Sequence, residues 1–225
     1  MSEAGNDRQL GDFIKGRLLF IEAYCQEQGL DKEKVLAAAQ DAALRLAGTP
    51  EREQFLKDKV FSGVVLASAY FPEWVDGVFL EAMTVALKGP GAPLYTTSSR
   101  RPCITSEAGR FNAHRQAETV FKAFFQGKKP QDWLKYTFLS IYRQCYGVEA
   151  ASKFSVEEVG PGHFKVTVDN RGLGKASRMD CSTGVGYLYG ALEQLGALNI
   201  VVTHDQCGAD AAFAGKLCVF DVTWT

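Results

Sequence analysis

The sequence has no surplus of either charge: 25 Lys and Arg stand against 26 Asp and Glu, so no net field draws nucleic acid or an anionic membrane to it. It has no uninterrupted apolar run long enough to span a bilayer. Its opening, MSEAGNDRQLGDF, lacks the basic-then-apolar order of a secretion signal, and the expectation is a cytoplasmic protein without a membrane span. Internal repeats and low-complexity tracts are absent, and histidine is scarce, at three residues. Six cysteines spread over 225 residues do not make the disulfide framework of a small loop-rich scaffold, and suit reduced thiols or metal ligands better. No complete catalytic motif accompanies them.

What is present is enough apolar residue, 46%, to bury one substantial core, so a single domain over 1–225 is expected. Helical periodicity dominates the first two thirds, residues 1–147. Leu10, Phe13, Ile14, Leu18, Ile21, Tyr24 and Cys25 form one stripe over Gln9–Gln28, stopped by Gly29. Asp31 caps a second helix with an alanine-rich stripe, and Thr49-Pro50 opens a third reaching Val64. A break at Phe71-Pro72 precedes a fourth helix from Glu73 to Leu87. Lys88–Arg110, rich in Gly, Pro, Ser and Thr, reads as a long loop. A fifth helix, Glu107–Phe125, is expected to present Phe111, His114, Ala117, Val120, Phe121, Phe124 and Phe125. A sixth, after Pro130, turns Trp133, Leu134, Phe138, Ile141, Tyr142 and Cys145 inward.

After Gly147 the period becomes alternating. Phe154–Glu158 and Phe164–Val168 flank a turn at Gly160–Gly162, followed by a helix at Ser182–Leu195 and strands at Leu198–His204 and Leu217–Trp224. The predicted fold is α+β: an N-terminal helical bundle packed on a C-terminal four-stranded antiparallel sheet, in the order ββαββ over 148–225.

The tail from Met179 carries the one pattern with specific chemistry: Cys181, His204, Cys207 and Cys218. Three sulfurs and an imidazole form a standard closed zinc set; the alternative is buried thiols and a hydrogen-bonded core histidine. In CysSerThrGlyValGlyTyr, a helix start would favour an anion and lower the Cys181 pKa. No arginine follows to make a phosphate loop, and Gly184, Gly186 and Gly190 are better explained by close helix-to-sheet packing.

This order of elements and the Cys181–Phe220 pattern resemble the 4-vinyl-reductase sensor domains, related in fold to haem nitric-oxide-binding domains and to TRAPP transport-complex subunits. In those sensors a cysteine opens the helix between two hairpins. An acidic residue with a cysteine three positions on follows, and the last cysteine lies in a Cys-x-Phe strand. The resemblance implies that Cys181, Cys207 and Cys218 hold zinc beneath an apolar small-molecule pocket. His204 stands where the family has its acidic ligand, and the stretch from Cys207 to Cys218 is longer than the family's. The Tyr-x-Ser-x-Arg sequence of haem-binding relatives is interrupted here, Tyr95, Ser98 and Arg100 lying in TyrThrThrSerSerArg, and haem is not favoured.

The expectation is therefore a non-enzymatic sensor or binding module enclosing a small apolar molecule. His114, Phe111, Phe121, Trp133, Phe138 and Tyr142 are its candidate ligand contacts. Output would pass through a homodimer or protein partner, with the first two helices as candidate surfaces. A ligand-free adaptor of the transport-complex type is the second reading. The third is an enzyme using Cys181, for which no base or orienting acid is identifiable.

Overall fold

A computed structural model describes residues 8–63, 65–146, 154–168, 177–210, 212 and 217–225. Val64 at the end of the third expected helix, and Gly147 at the change of period, lie outside the described residues. The chain forms two compact units, residues 8–94 and 95–225, divided inside the Gly/Pro-rich loop. With N-terminal helices and a C-terminal four-stranded antiparallel sheet, the class is α+β.

The first unit runs β1 (Arg8–Leu10), α1 (Gly11–Gln28), α2 (Lys32–Leu46), α3 (Pro50–Lys59), β2 (Tyr70–Pro72) and α4 (Trp74–Lys88). The expected caps are in place. Gly29 turns left-handed at φ 66° to end α1, and Asp31 accepts the Lys34 N–H at 3.2 Å. Thr49 accepts that of Arg52 at 3.3 Å. β1 and β2, three residues each and antiparallel, are too short to leave a periodic trace. Ala39, Ala42 and Ala43 of α2 are buried in packing against α4. The alanine stripe is thus consumed within the chain, where small side chains let two helices approach, and is not a free dimer surface.

A buried ion pair holds α1 to α4. Arg17, fully buried, gives Nε to Asp76 Oδ1 at 3.2 Å and Nη2 to Oδ2 at 3.1 Å. Removing one member of such a pair leaves the other charge desolvated, so Asp76→Ala is expected to cost about 3–5 kcal/mol. Urea unfolding measures it.

The second unit contains α5 (Ile104–Glu118), α6 (Lys122–Phe125), α7 (Pro130–Asp132), a π-helical turn (Trp133–Thr137), α8 (Phe138–Tyr146), β3 (Phe154–Gly160), β4 (His163–Val168), α9 (Arg178–Gln194), β5 (Val201–Gln206) and β6 (Cys218–Thr223). The sheet order is β3-β4-β6-β5, antiparallel throughout. Its buried face pairs Phe164 with Val222, Val166 with Phe220 and Val168 with Cys218, and Val202 joins from β5. The free edge of β5 is covered by the loop before α5. Ser98 bridges Thr203, Ser99 donates its backbone N–H to Val202 O at 2.9 Å, and His204 donates its own to Thr97 O at 2.8 Å.

α5 and α9 make the most extensive helix pairing, and here the expectation needs correction. The buried stripe of α5 is Thr105, Ala108, Gly109, Asn112, Ala113 and Gln116, whereas Phe111 and His114 are half-buried and Val120 is exposed. A Cβ on Gly109 would lie 2.1 Å from Thr183 O, and one on Gly186 would lie 1.8 Å from Ser106 O. Gly186 and Gly190 therefore serve helix-to-helix contact. Only Gly184 meets the sheet, at Phe220.

Candidate metal centre

α9 begins four residues earlier than the glycines suggested. Ser177 is its N-cap, accepting from the N–H groups of Met179 and Asp180 at 3.2 and 3.4 Å. Cys181 thus lies within the first turns of a continuous helix, and the glycine-rich segment is helix body rather than an anion loop. The neighbouring Ser182 hydroxyl locks this end of α9 to the α5 entry. It takes the Thr96 N–H at 3.0 Å and the Thr105 hydroxyl at 2.7 Å, and it sits 3.4 Å from Cys103 Sγ.

His204 and Cys207 lie on and just beyond β5, three residues apart, so on a regular strand they would face opposite sides. The pairing of β5 with β6 shifts between them. Thr203 opposes Asp221 and Gln206 opposes Val219, three steps on one strand against two on the other. This bulge resets the alternation. His204 stays on the buried side with Val202, and Cys207 reaches the same side next to Cys218, the first residue of β6. All four side chains are buried, and their ligand atoms lie within 4.8 Å of one another. Cys181 Sγ is 3.7 Å from Cys218 Sγ and 3.8 Å from Cys207 Sγ. The His204 ring stacks on Phe220 at 4.4 Å, and its Nε2 has no hydrogen-bond partner among the described residues.

The three thiols are unlike. Cys218 is pulled down to about 4 by the Cys181 thiol, against burial, with help from His204 and from the Gly208 N–H, which donates to its sulfur at 3.2 Å. Cys207 comes to about 7, again chiefly through Cys181 and despite burial. Cys181 moves the other way, raised well above the ordinary thiol by its hydrogen bonds to Cys207 and Cys218 and by burial. The expected lowering of Cys181 is thus reversed: it holds its proton between two more acidic sulfurs, the opposite of an activated nucleophile. Chemically, the cluster is a closed set of soft donors that could hold a metal ion.

The other candidates divide. Trp133, Phe138 and Tyr142 come together. Trp133 is 5.3 Å from Phe138, which is 5.6 Å from Phe154, and Tyr142 lies 3.8 Å from Phe154. Phe121 is buried edge-on to Phe124. Tyr187 was missed by sequence reasoning; its ring is 6.4 Å from Phe138 and its hydroxyl donates to Gln116 Oε1 at 2.8 Å. His163, the first residue of β4, is half-buried with Nε2 2.8 Å from Asp221 Oδ1.

His114 belongs to a different constellation. Its Nε2 lies 2.8 Å from Glu193 Oε2, and Arg110 grips the same carboxylate at 2.7 and 2.9 Å. Burial would raise Glu193, but the Arg110 and His114 bonds outweigh it and hold the carboxyl below its usual range. A carboxylate depressed in the folded state stabilises fully above its unfolded pKa, about 4.3, and loses that contribution as pH falls through the lower folded value. Glu193→Gln should therefore flatten the acid side of the stability curve. At pH 7 it should cost about 1 kcal/mol or less, since the pair is partly exposed. Thermal melts from pH 7 to 3 report both.

No protein-family model matches the chain, and no curated protein matches it. Solved structures do. A mutant H-NOX of T. tengcongensis aligns at TM-score 0.56 and 12% identity, covering 96% of this chain and 97% of that one. A Cs H-NOX mutant with an unnatural amino acid gives 0.58 and 12%, with 96% of each chain covered. An oxygen-binding H-NOX domain related to soluble guanylate cyclases gives 0.53 and 12%, over 92% and 91%. The fold is that of the haem-NO/oxygen-binding domains. Among the residues singled out from the sequence, His114 is engaged by Glu193, Tyr95 carries the Arg178 guanidinium over its ring, and Ser98 bridges Thr203 of β5.

Proposed function

We propose that the protein is a small-molecule-binding or sensor module of the H-NOX-like fold, stapled by a structural zinc ion on Cys181, His204, Cys207 and Cys218. The observation that carries the zinc is geometric. Zinc bound to thiolates at about 2.3 Å in a tetrahedron sets sulfurs about 3.8 Å apart, and Cys181 Sγ lies 3.7 and 3.8 Å from its two partner sulfurs, far beyond a disulfide. The orphaned His204 Nε2 supports it, because a buried polar atom without a partner calls for one. The finer kinship, with the 4-vinyl-reductase-type sensors, rests on Cys181, Cys207 and Cys218 in Cys-Val-Phe. The molecule bound is small and mainly apolar, held by the cluster of Trp133, Phe138, Tyr142 and their neighbours, and the signal passes by association with a second copy or another protein.

Elemental analysis of purified protein should find one zinc per chain; folded, metal-free protein would overturn the staple. Delipidated protein should gain thermal stability with anthracene, an apolar probe that would bind only the folded chain. No shift at saturating probe would overturn the enclosure.

A further inference from the structure

Among the described residues of the second unit, two buried donors find no acceptor. Trp133 is fully buried and its Nε1 has no hydrogen-bond partner among the described residues. An indole nitrogen only donates, and the rings against it, Phe125 at 5.1 Å and Phe138 at 5.3 Å, offer no acceptor atom. Asn112, also fully buried, has no partner for its Nδ2 among the described residues. Its orientation is fixed because Arg115, which also only donates, bonds Oδ1 from Nη2 at 2.8 Å and from Nε at 3.2 Å. The amide nitrogen must then point elsewhere. Leaving a donor buried and unbonded forfeits its hydration with no return, and native proteins reserve such positions for a bound water or ligand.

The two donors end one continuous run of buried side chains. Asn112 and Gln116 are a helical turn apart on α5, Gln116 takes the Tyr187 hydroxyl, Tyr187 faces Phe138, and Phe138 faces Trp133. Trp133 also opens the π-helical turn, whose carbonyl accepts from Phe138 N five residues on, an irregularity found often at functional sites.

We infer that Trp133 Nε1 and Asn112 Nδ2 are the specificity-setting donors for the bound molecule, which is mainly apolar and carries acceptor oxygens of carbonyl type. This rests on the small-molecule reading above and narrows it. Both protein groups donate, so the ligand supplies acceptors. An amine or other cation finds no complement, and a pure hydrocarbon leaves both donors orphaned.

The test uses two probes with the same three fused rings, anthracene and 9,10-anthraquinone, titrated into the delipidated full chain. Anthraquinone should bind about tenfold tighter or better, and only anthraquinone should move the Trp133 indole proton resonance downfield. Trp133→Phe and Asn112→Asp, the latter keeping the oxygen that Arg115 holds, should each shrink the ratio of anthraquinone to anthracene affinity toward unity. The indole resonance in the unaltered protein decides the matter even where a variant fails to fold. Equal binding of both probes with an unmoved indole would overturn the inference and leave the enclosure standing. Binding of neither would overturn both.

Discussion

Cys218→Ser protein should contain no zinc, and its second unit should lose cooperative thermal unfolding. Cys218 supplies the most acidic of the three sulfurs, lies at the start of a central strand, and is fully buried, so a hydroxyl there would donate weakly and stay dry. Structural zinc contributes on the order of 10 kcal/mol or more to small metal-folded peptides. Whole domains hold only about 5–15 kcal/mol in reserve. Even a modest share of the metal's contribution would exhaust that reserve. Cys181→Ser and Cys207→Ser should behave alike, whereas His204→Cys, which keeps four soft donors, should retain the ion. Binding should also release protons at pH 7, because the raised Cys181 thiol must ionise to coordinate. Calorimetry in buffers of different ionisation enthalpy counts them. Stoichiometric zinc in every serine variant would place the ion elsewhere.

The group of Cys181, His204, Cys207 and Cys218 was legible as a spacing but not as a place. Nothing in His204-x-x-Cys207 announces that a bulge will turn both residues to one side; that depends on how β5 registers against β6, a tertiary choice. The sheet itself was legible, because one buried face and one wetter face leave alternation in β4 and β6. β1 and β2 were not, since three residues hold no period. The start of α9 was misplaced because serine, threonine and glycines resemble a turn when read locally. In the folded chain those residues are selected for approach to α5, and packing overrides propensity. The same cause inverted α5. Phe111 and His114 drew the eye as a stripe, but the buried side is built of Gly109, Ala113 and two amides, small or polar groups that a hydropathy pattern discounts. Arg17 and Asp76 were invisible for a related reason: charges 59 residues apart reveal burial only once α1 and α4 are docked.

Gly186→Ala should be the most damaging alanine substitution among the described glycines. The added Cβ would sit 1.8 Å from the Ser106 carbonyl oxygen and 2.6 Å from its carbon, backbone atoms of a helix that cannot rotate aside as a side chain would. Relief requires α5 and α9 to separate by more than an ångström, along a contact that also includes Gly109 against Thr183 and Gly190 against Arg110. Overpacking of this kind costs about 3 kcal/mol or more when the backbone must move. Gly109→Ala, at 2.1 Å from Thr183 O, should follow closely, and Gly184→Ala, which meets only the Phe220 ring at 3.2 Å, should be mild. Gly77 supplies the control. It lies inside α4 with nothing within 4 Å of its Cβ position, so Gly77→Ala should stabilise by about 0.5–1 kcal/mol through helix propensity alone. The damage at Gly186 should also reach the site, because α9 carries both Cys181 and Tyr187. A displaced α9 withdraws one sulfur from the cysteine-histidine cluster, and it draws the Tyr187 hydroxyl away from Gln116. Gly186→Ala should therefore lose zinc to a chelator faster than the unaltered protein at temperatures where both remain folded. A variant that melts early yet keeps its zinc as tightly would mean that the helix pair and the metal cluster are mechanically independent.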